Sequence, residues 1–426
     1  MYIVYSLLLG LLVVLSAPWW LVQMLRLGKY RAGLRERLGS VPARLNRNSA
    51  EPAVWIHAVS VGEVLATSRL VSEFRALYPA RNVFVSTTTA TGQQLARERF
   101  GEDAVFYMPL DFGFALKAYL AALKPSLLVL AETEFWPNLL HHAAERGIKV
   151  AVVNARISDR SFPRYRRFRW FFSPVLRPVS LFLAQTKLDA ERLCAIGAPA
   201  QRVHVSGNLK FDVRQATESP LVRDLRTVIP AGTSVIVCGS TTEGEEELVL
   251  AAFEQVQRQF PAAILILAPR HPERFNKVAD LISARGLKFL RRSNWTSSAP
   301  VPSSVFLLDT VGELASVYSL ADIAFVGGSL VPLGGHNILE PAQFGVPVLT
   351  GPHTFNFREI VNIFTSGGGL TVVNAEQLGP ELIRLLHDSA ARKQLGAAAK
   401  RLFLENTGAT EKILAALRVL LESGGS

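Results

Sequence analysis

From Pro52 onward the chain repeats one pattern: a short apolar run, a turn, then an amphipathic stretch of helical period. The runs read AVWIHA, RNVFVSTT, AVFYMPL, SLLVLAE, KVAVVNA, LFLAQT and RVHVSG, with helical stretches such as Glu63–Tyr78 and Phe135–Arg146 between them. Strands that alternate with helices predict a parallel sheet covered on both faces. The pattern breaks at FDVRQATESPLVRDLRTVIPAGT, polar and turn-rich, and restarts with SVIVCGST, AAILILAP, VFLLDT, DIAFVGG and VPVLTG. The expected fold class is therefore α/β, with two Rossmann-like doubly wound domains facing an interdomain cleft. Ligands in such sheets sit beyond the carboxyl ends of the strands. The expected boundaries are an apolar segment over residues 1–25, a first domain over 26–212, a linker over 213–232 and a second domain over 233–426.

The first 25 residues carry no charged side chain. As a helix they extend roughly 37 Å at 1.5 Å per residue, enough to cross a bilayer. No Lys or Arg precedes them, so the basic start of a cleavable signal peptide is missing. Trp19 and Trp20 fall where an interfacial aromatic belt belongs, and seven Lys/Arg against one Glu follow between Arg26 and Arg47. The positive-inside rule then predicts a single-pass N-terminal transmembrane helix with the remainder cytoplasmic. A buried helix of a soluble protein is the alternative. Lys plus Arg number 46 against 35 Asp plus Glu, a net charge of +11, so anionic partners are expected. A second basic stretch, Arg156–Arg177, interleaves seven Arg with six aromatics and fits a membrane-facing amphipathic segment or a solvated helix. The two cysteines, Cys194 and Cys238, lie far apart and suit a reducing compartment.

The strand AVWIHA runs into HAVSVGE, a turn with a single glycine, Gly62, and a carboxylate, Glu63. Phosphate loops are usually richer in glycine, and Glu63 would repel a phosphate. The residue types that suit a nucleotide lie in the second half. In FVGGSLVPLGGHNILEP two Gly-Gly pairs precede a helix expected near Asn337, with His336 and Glu340 alongside. Glycines let backbone approach a ligand, a helix N-terminus favours an anion, and Glu340 suits the two hydroxyls of a ribose. A glycine loop kept for tight turning is the plainer reading. Arg270 and His271 in PRHPER, Gly312 and Glu313 in DTVGEL, and Ser240 and Thr241 in CGSTTEGEEE stand at further strand ends. No GxxxxGK[ST] loop, DxD pair or His/Cys cluster is present, which argues against a Walker-type NTPase and weakens a metal-dependent reading. Glu63, Glu132 and Glu134 follow strands of the first half. A carboxylate there can serve as a general base, although a glutamate at a helix start is also a common cap. Lys210, in SGNLKFD, follows the last strand of that half.

The motifs SVGE, TEFWPN, NARISDRS, QTKLDAERL, GNLKFD, GSTTEGEEE, PRHPER, DTVGEL and GGSLVPLGGHNILEP stand in this order behind an apolar N-terminal segment. Over nearly its whole length the chain closely resembles the 3-deoxy-D-manno-octulosonic acid (Kdo) transferases of Gram-negative bacteria. Cys238 stands where a small residue such as Ala is expected. The resemblance implies the two-domain GT-B glycosyltransferase fold, with no cofactor and no metal. It implies an inverting transfer of Kdo from CMP-Kdo to the distal glucosamine of a lipid A precursor, lipid IVA, at the cytoplasmic face of the inner membrane. The implied partners are the donor, the acceptor and anionic inner-membrane lipid, with no nucleic acid. Glu63 matches the position of the catalytic base, and Glu132 and Lys210 match positions that stabilise the transition state. CMP contacts map to Pro269 and Arg270, to Val311, Gly312 and Glu313, and to Asn337, Ile338, Leu339 and Glu340. From the residues alone two other readings stay open, a membrane-associated GT-B enzyme using a UDP-sugar and a non-catalytic anchored protein binding anionic lipid or nucleic acid.

Overall fold

The computed structural model describes residues 1–27, 32–45, 51–212, 218–296, 301 and 304–422. The chain divides into two compact units, 1–212 with 407–426, and 213–406. Unit 1 holds strands β1 Ala53–His57, β2 Val83–Thr87, β3 Val105–Tyr107, β4 Pro125–Ala131, β5 Lys149–Ala155, β6 Leu181–Ala184 and β7 Val203–Val205. Its helices are α1 Tyr2–Leu27, α2 Leu34–Arg37, α3 Val61–Leu77, α4 Ala90–Phe100, α5 Gly113–Leu123, α6 Pro137–Glu145, α7 Phe162–Arg167, α8 Arg169–Leu176 and α9 Lys187–Ile196. Unit 2 holds β8 Val235–Thr241, β9 Ile264–Pro269, β10 Phe289–Arg291, β11 Val305–Leu307, β12 Ile323–Val326, β13 Val348–Thr350 and β14 Thr371–Val372. Its helices are α10 Pro220–Val228, α11 Glu245–Gln259, α12 Phe275–Ala284, α13 Leu314–Val317, α14 Leu339–Ala342, α15 Arg358–Ser366, α16 Ala375–His387 and α17 Ser389–Asn406, and α18 Ala409–Glu422 follows.

Each unit is built on one parallel sheet, in the orders β3-β2-β1-β4-β5-β6-β7 and β10-β11-β9-β8-β12-β13-β14. The central strands are largely apolar because both faces are covered, whereas the edge strands β7, β10 and β14 are partly exposed. In β1, Val54 and Ile56 pack on one face with Leu70, Phe74 and Leu417, while Trp55 packs on the other with Phe106, Tyr119 and Leu140. In unit 2 Ile236, Cys238, Leu265 and Phe325 pack with Phe253 of α11 and Leu382 of α16. The strand order reverses between β1 and β4 in unit 1 and between β8 and β12 in unit 2. At such a reversal the connections leave toward opposite faces and open a crevice beyond the carboxyl ends of the strands. The chain places HAVSVGE after β1, AETEFWPN after β4, GSTTEG after β8 and VGGSLVPLGGHNILE after β12.

The structure departs from the sequence expectations at several elements. Strands β10 and β14 add edges of three and two residues, too short to stand out as apolar runs. The segment expected as a linker contains α10, whose Leu221, Val222 and Leu225 are buried in unit 2; residues 213–217 lie outside the described residues. The second domain does not run to the end of the chain, because residues 407–426 return to unit 1. Ile413, Leu414 and Leu417 of α18 complete the apolar layer against Val71 and Phe74 of α3. Asp212, itself nearly buried, holds the start of that helix by accepting from the backbone N–H groups of Gly408 at 2.7 Å, Ala409 at 3.2 Å and Thr410. The basic stretch forms α7 and α8 rather than one helix, with Val175 and Leu176 buried and Arg164, Arg166, Arg167 and Arg169 exposed. Among the described residues, α1 alone is long and apolar enough to cross a membrane.

A second buried carboxylate organises unit 2. Glu245, fully buried at the start of α11, accepts from the N–H groups of Gly328 at 2.6 Å, Ser329 at 2.8 Å and Leu330 at 2.8 Å. It also takes the N–H and hydroxyl of Thr242 at 3.0 and 2.9 Å. Gly328 has φ 70° and lies against His336, so a Cβ would sit 2.7 Å from the imidazole. The first Gly-Gly of the loop is therefore filled by the protein's own carboxylate.

Glu245→Ala leaves three buried N–H groups without an acceptor, at about 1–3 kcal/mol each. Thermal unfolding should show a large loss of stability in unit 2, with Glu245→Gln intermediate because its amide keeps one acceptor oxygen. Asp212→Ala removes an N-terminal cap, worth about 1–2 kcal/mol. Hydrogen exchange should then accelerate along α18 while the amides of β8 and β9 remain protected.

Candidate active site

In unit 1 the chain leaves β1 through Ala58-Val59-Ser60 and enters α3 with Ser60 as its N-cap. Glu63 folds back over that end, its Oε2 accepting from the Val59 N–H at 2.7 Å and its Oε1 from the Ser60 hydroxyl at 3.0 Å. The capping contact weighed from sequence is thus present. A carboxylate that served only as a cap would have its charge favoured, yet burial outweighs these two bonds and pushes the Glu63 carboxyl from 4.5 up to about 7, helped by repulsion from Glu132 and Glu134. Gly62 does not make the turn: its φ is not positive, and a Cβ there would meet only the Ser60 hydroxyl at 3.9 Å. Its effect is to leave the surface beside Glu63 bare. The next loop braces this turn, as the N–H groups of Thr88 and Thr89 both donate to the Val59 carbonyl at 3.1 Å. His57 is a core residue, fully buried against Ser86, and burial pushes its imidazole down to about 4.

Glu132 follows β4 in the left-handed region, φ 58°, with its N–H donating to the Val153 carbonyl at 2.9 Å. Its carboxylate lies 3.7 Å from the Lys210 ammonium. Burial, and repulsion from Glu132, push the Glu134 carboxyl up as well. Glu63, Glu132, Glu134 and Lys210 are thus one electrostatic neighbourhood. Asn154 adds a residue that sequence reasoning did not single out. It is buried in β5 with φ 54°, and its side-chain oxygen accepts from the Leu209 N–H at 2.9 Å, directly before Lys210. Its sequence signals are a polar residue inside the apolar run KVAVVNA and the first place in the motif NARISDRS, neither of which gave it a role.

In unit 2 the strand ends carry the other candidates. Ser240 has φ 55° at a register shift in β8, and the Thr241 carbonyl accepts from the Arg270 N–H at 2.8 Å. Pro269 ends β9 and Arg270 is exposed just beyond it. Arg270 favours the charged form of Glu340 and disfavours that of His336, but burial dominates both. It raises the Glu340 carboxyl and lowers the imidazole to about 4. The Nε2 of His336 is buried without a partner. Val311 and Gly312 are open to solvent, with Gly312 at φ 93°. The Glu313 carboxylate accepts from Arg292 at 3.1 Å and from the Thr310 hydroxyl. Asn337 accepts from the Leu339 N–H at 3.1 Å, whereas Ile338 and Leu339 are fully buried and offer a ligand only backbone.

The expected helix-terminus anion site is weaker than its sequence suggests. Helices α13 and α14 have four residues each, too short for a sizeable dipole. The N–H of Gly335 is taken by the Gly328 carbonyl at 2.7 Å, as that of Gly328 is by Glu245. At these strand ends Arg270 is an exposed positive side chain just beyond β9. Among the described residues His141, His142 and Glu145 are close enough to share a metal ion, but they lie on α6 and pair with each other.

Residues 32–213 match the family model described as 3-deoxy-D-manno-octulosonic-acid transferase (kdotransferase), and residues 242–402 match glycosyl transferases group 1. A 3-deoxy-D-manno-octulosonic acid transferase of Haemophilus influenzae is 38% identical over 403 residues, 92% of each chain. One of Bordetella pertussis is 35% identical over 400 residues, again 92% of each. In fold the chain is similar to a putative UDP-N-acetylglucosamine 2-epimerase from Listeria monocytogenes, TM-score 0.51 at 15% identity, covering 88% of this chain and 98% of that one. With its two Rossmann-like units in the GT-B arrangement of elements, the chain belongs to the 3-deoxy-D-manno-octulosonic acid transferase family of glycosyltransferases.

Proposed function

We propose that this glycosyltransferase moves Kdo from CMP-Kdo to a lipid A precursor, lipid IVA, with inversion and without a metal, at the cytoplasmic face of the inner membrane. The observation that carries the reading is the Glu63 carboxyl, partly buried beyond β1 and held near neutrality at about 7. A base whose pKa lies near the working pH combines ionisation with the strongest proton affinity compatible with it. The acceptor is an uncharged hydroxyl, which Glu63 can approach without the repulsion a phosphate would meet.

In the proposed step the acceptor oxygen attacks the anomeric carbon of Kdo as Glu63 takes its proton. The bond from that carbon to the phosphate oxygen of CMP breaks, and the electron pair leaves on the phosphate. Glu132 and Lys210 stabilise charge in the transition state, with Asn154 holding the turn that carries Lys210. Preorganised groups of this kind contribute about 10²–10³-fold each where charge develops. Arg270 meets the CMP phosphate, Glu340 suits the ribose hydroxyls, and Pro269, Val311–Glu313 and the backbone of Asn337–Leu339 complete the nucleotide contacts.

Glu63→Gln should lower kcat by about 10²–10⁴-fold while CMP still raises the melting temperature. Near-normal turnover by this variant would sink the general-base role. For the wild type, kcat/KM should rise with pH and level off above about 7, as Glu63 ionises. The folded pKa is raised, so the stability linked to this carboxyl is fully present below 4.5 and is lost as pH rises through about 7. Glu63→Gln should therefore gain melting temperature relative to wild type across that window. CMP should stabilise the protein against heat and UDP should not. Arg270→Ala should weaken the CMP effect by about tenfold or more in Kd, the loss of one charge-assisted contact; equal protection by UDP would point to a different donor.

A further inference from the structure

Close to the Glu63 turn, unit 1 holds a polar cavity that the chemistry above leaves unused. Helix α4 starts on Thr89, whose hydroxyl accepts from the Gly92 N–H at 3.1 Å. Two sides of this helix then do different work. Gly92, Ala96 and Phe100 are buried, and a Cβ on Gly92 would lie 3.2 Å from the Ser60 carbonyl carbon. Gln93, Gln94 and Arg97 recur at three- and four-residue spacing on another side. With Glu98, with Glu102 just past the helix and with Tyr107 at the end of β3, they line a cavity of about 380 Å³. Sites that take small molecules run from about 300 to 1,000 Å³.

The cavity wall is tied to the turn that carries Glu63. The Tyr107 N–H donates to the Glu36 carboxylate at 2.8 Å, and Arg37 lies over the Tyr107 ring, 4.6 Å from its centroid. Arg37 also donates to the Thr88 carbonyl. The Thr88 N–H in turn donates to the Val59 carbonyl, and the Val59 N–H to Glu63. The first turn of α4 stands between the cavity and that carboxylate, a helix width of about 10 Å.

The lining offers donors and acceptors together. Gln93 is 2% exposed, and its Oε1 accepts from the Thr87 hydroxyl at 2.5 Å, while its Nε2 has no partner in the protein. The Nε of Arg97 is likewise buried without a partner. Folded proteins rarely leave buried donors open, and each such group calls for a functional or ligand-based reason. Glu98 and Glu102, both exposed, supply acceptors, and Glu98 already takes the Gln94 amide at 3.1 Å. A phosphate would suit the donors but be repelled by two carboxylates against one arginine. A cation would suit only the carboxylates. A sugar suits both, because each hydroxyl can accept from an N–H and donate to a carboxylate.

We propose that this cavity is a saccharide subsite, holding the sugar ring next to the one whose hydroxyl meets Glu63. Gln93 and Arg97 donate to its hydroxyls, and Glu98 and Glu102 accept from them. This rests on the reading of Glu63 as the base that faces the acceptor. Calorimetric titration of the full chain with the unphosphorylated disaccharide of glucosamine measures the subsite without any transfer step. Wild type should bind it, and inorganic phosphate should not displace it. Gln93→Met and Arg97→Met keep apolar stems and remove the donors, so each should weaken binding about tenfold, the loss of one hydrogen bond. Glu102→Ala changes an exposed side chain whose residue holds Arg44 through its backbone carbonyl. It should lose affinity for the sugar while its melting temperature stays that of wild type. In the transfer assay the three variants should raise the KM for lipid IVA and not that for CMP-Kdo. No binding by wild type, undiminished binding by all three variants, or displacement by inorganic phosphate would overturn the proposal. A wild type that binds the disaccharide through these residues yet transfers no Kdo would contradict the transferase reading and not the subsite.

Discussion

The glycine loop of unit 2 depends on one buried carboxylate. Glu245 occupies the N–H groups of Gly328, Ser329 and Leu330, the donors that a bound phosphate would otherwise claim. By holding that loop it also sets His336 against Gly328 and fixes where Asn337 and Glu340 emerge. In the proposed donor site the anion-binding role then falls to a side chain, Arg270, instead of to a backbone cradle, which suits the proposed monophosphate leaving group because it needs less positive charge than a diphosphate. Asp212 plays the corresponding part in unit 1, where its carboxylate gathers the N–H groups at the start of α18. Buried carboxylates that accept several N–H bonds are structural elements, because the bonds replace the water the charge has lost.

Glu63 differs from them in degree, and the difference decides its chemistry. It has one N–H and one hydroxyl as partners, two other glutamates close by, and a partly open surface kept bare by Gly62. Burial without full compensation leaves its proton affinity high. Backbone strain is stored at Glu132 and Asn154 in unit 1 and, separately, at Ser240 in unit 2, which have positive φ and lie at or near the carboxyl ends of central strands. Left-handed conformation at such residues costs about 1–3 kcal/mol each and persists where surrounding contacts enforce it.

Much of this was legible in the sequence. The strands β1, β4 and β8 announce themselves because sheets covered on both faces demand continuous Val, Ile and Leu. Glu63 was legible from its place after such a strand, and its company with Glu132 and Lys210 from the ends of two others. What was not legible depends on contacts between distant positions. In the run Glu245-Glu246-Glu247 nothing marks the first as the one that reaches Gly328, 83 residues away. The apolar face of α18 does not say which sheet it covers, so its return to unit 1 was missed. Asn154 looks like an interruption of β5 until Leu209 is seen to need its oxygen.

The account stands or falls on the product. The most direct measurement is mass spectrometry of the glycolipid recovered after incubating the protein with CMP-Kdo and lipid IVA. The account predicts an acceptor heavier by one or more Kdo residues, formed in the presence of a metal chelator and accompanied by free CMP. Unchanged acceptor, or a sugar gained only when a UDP-linked donor is supplied, would contradict it.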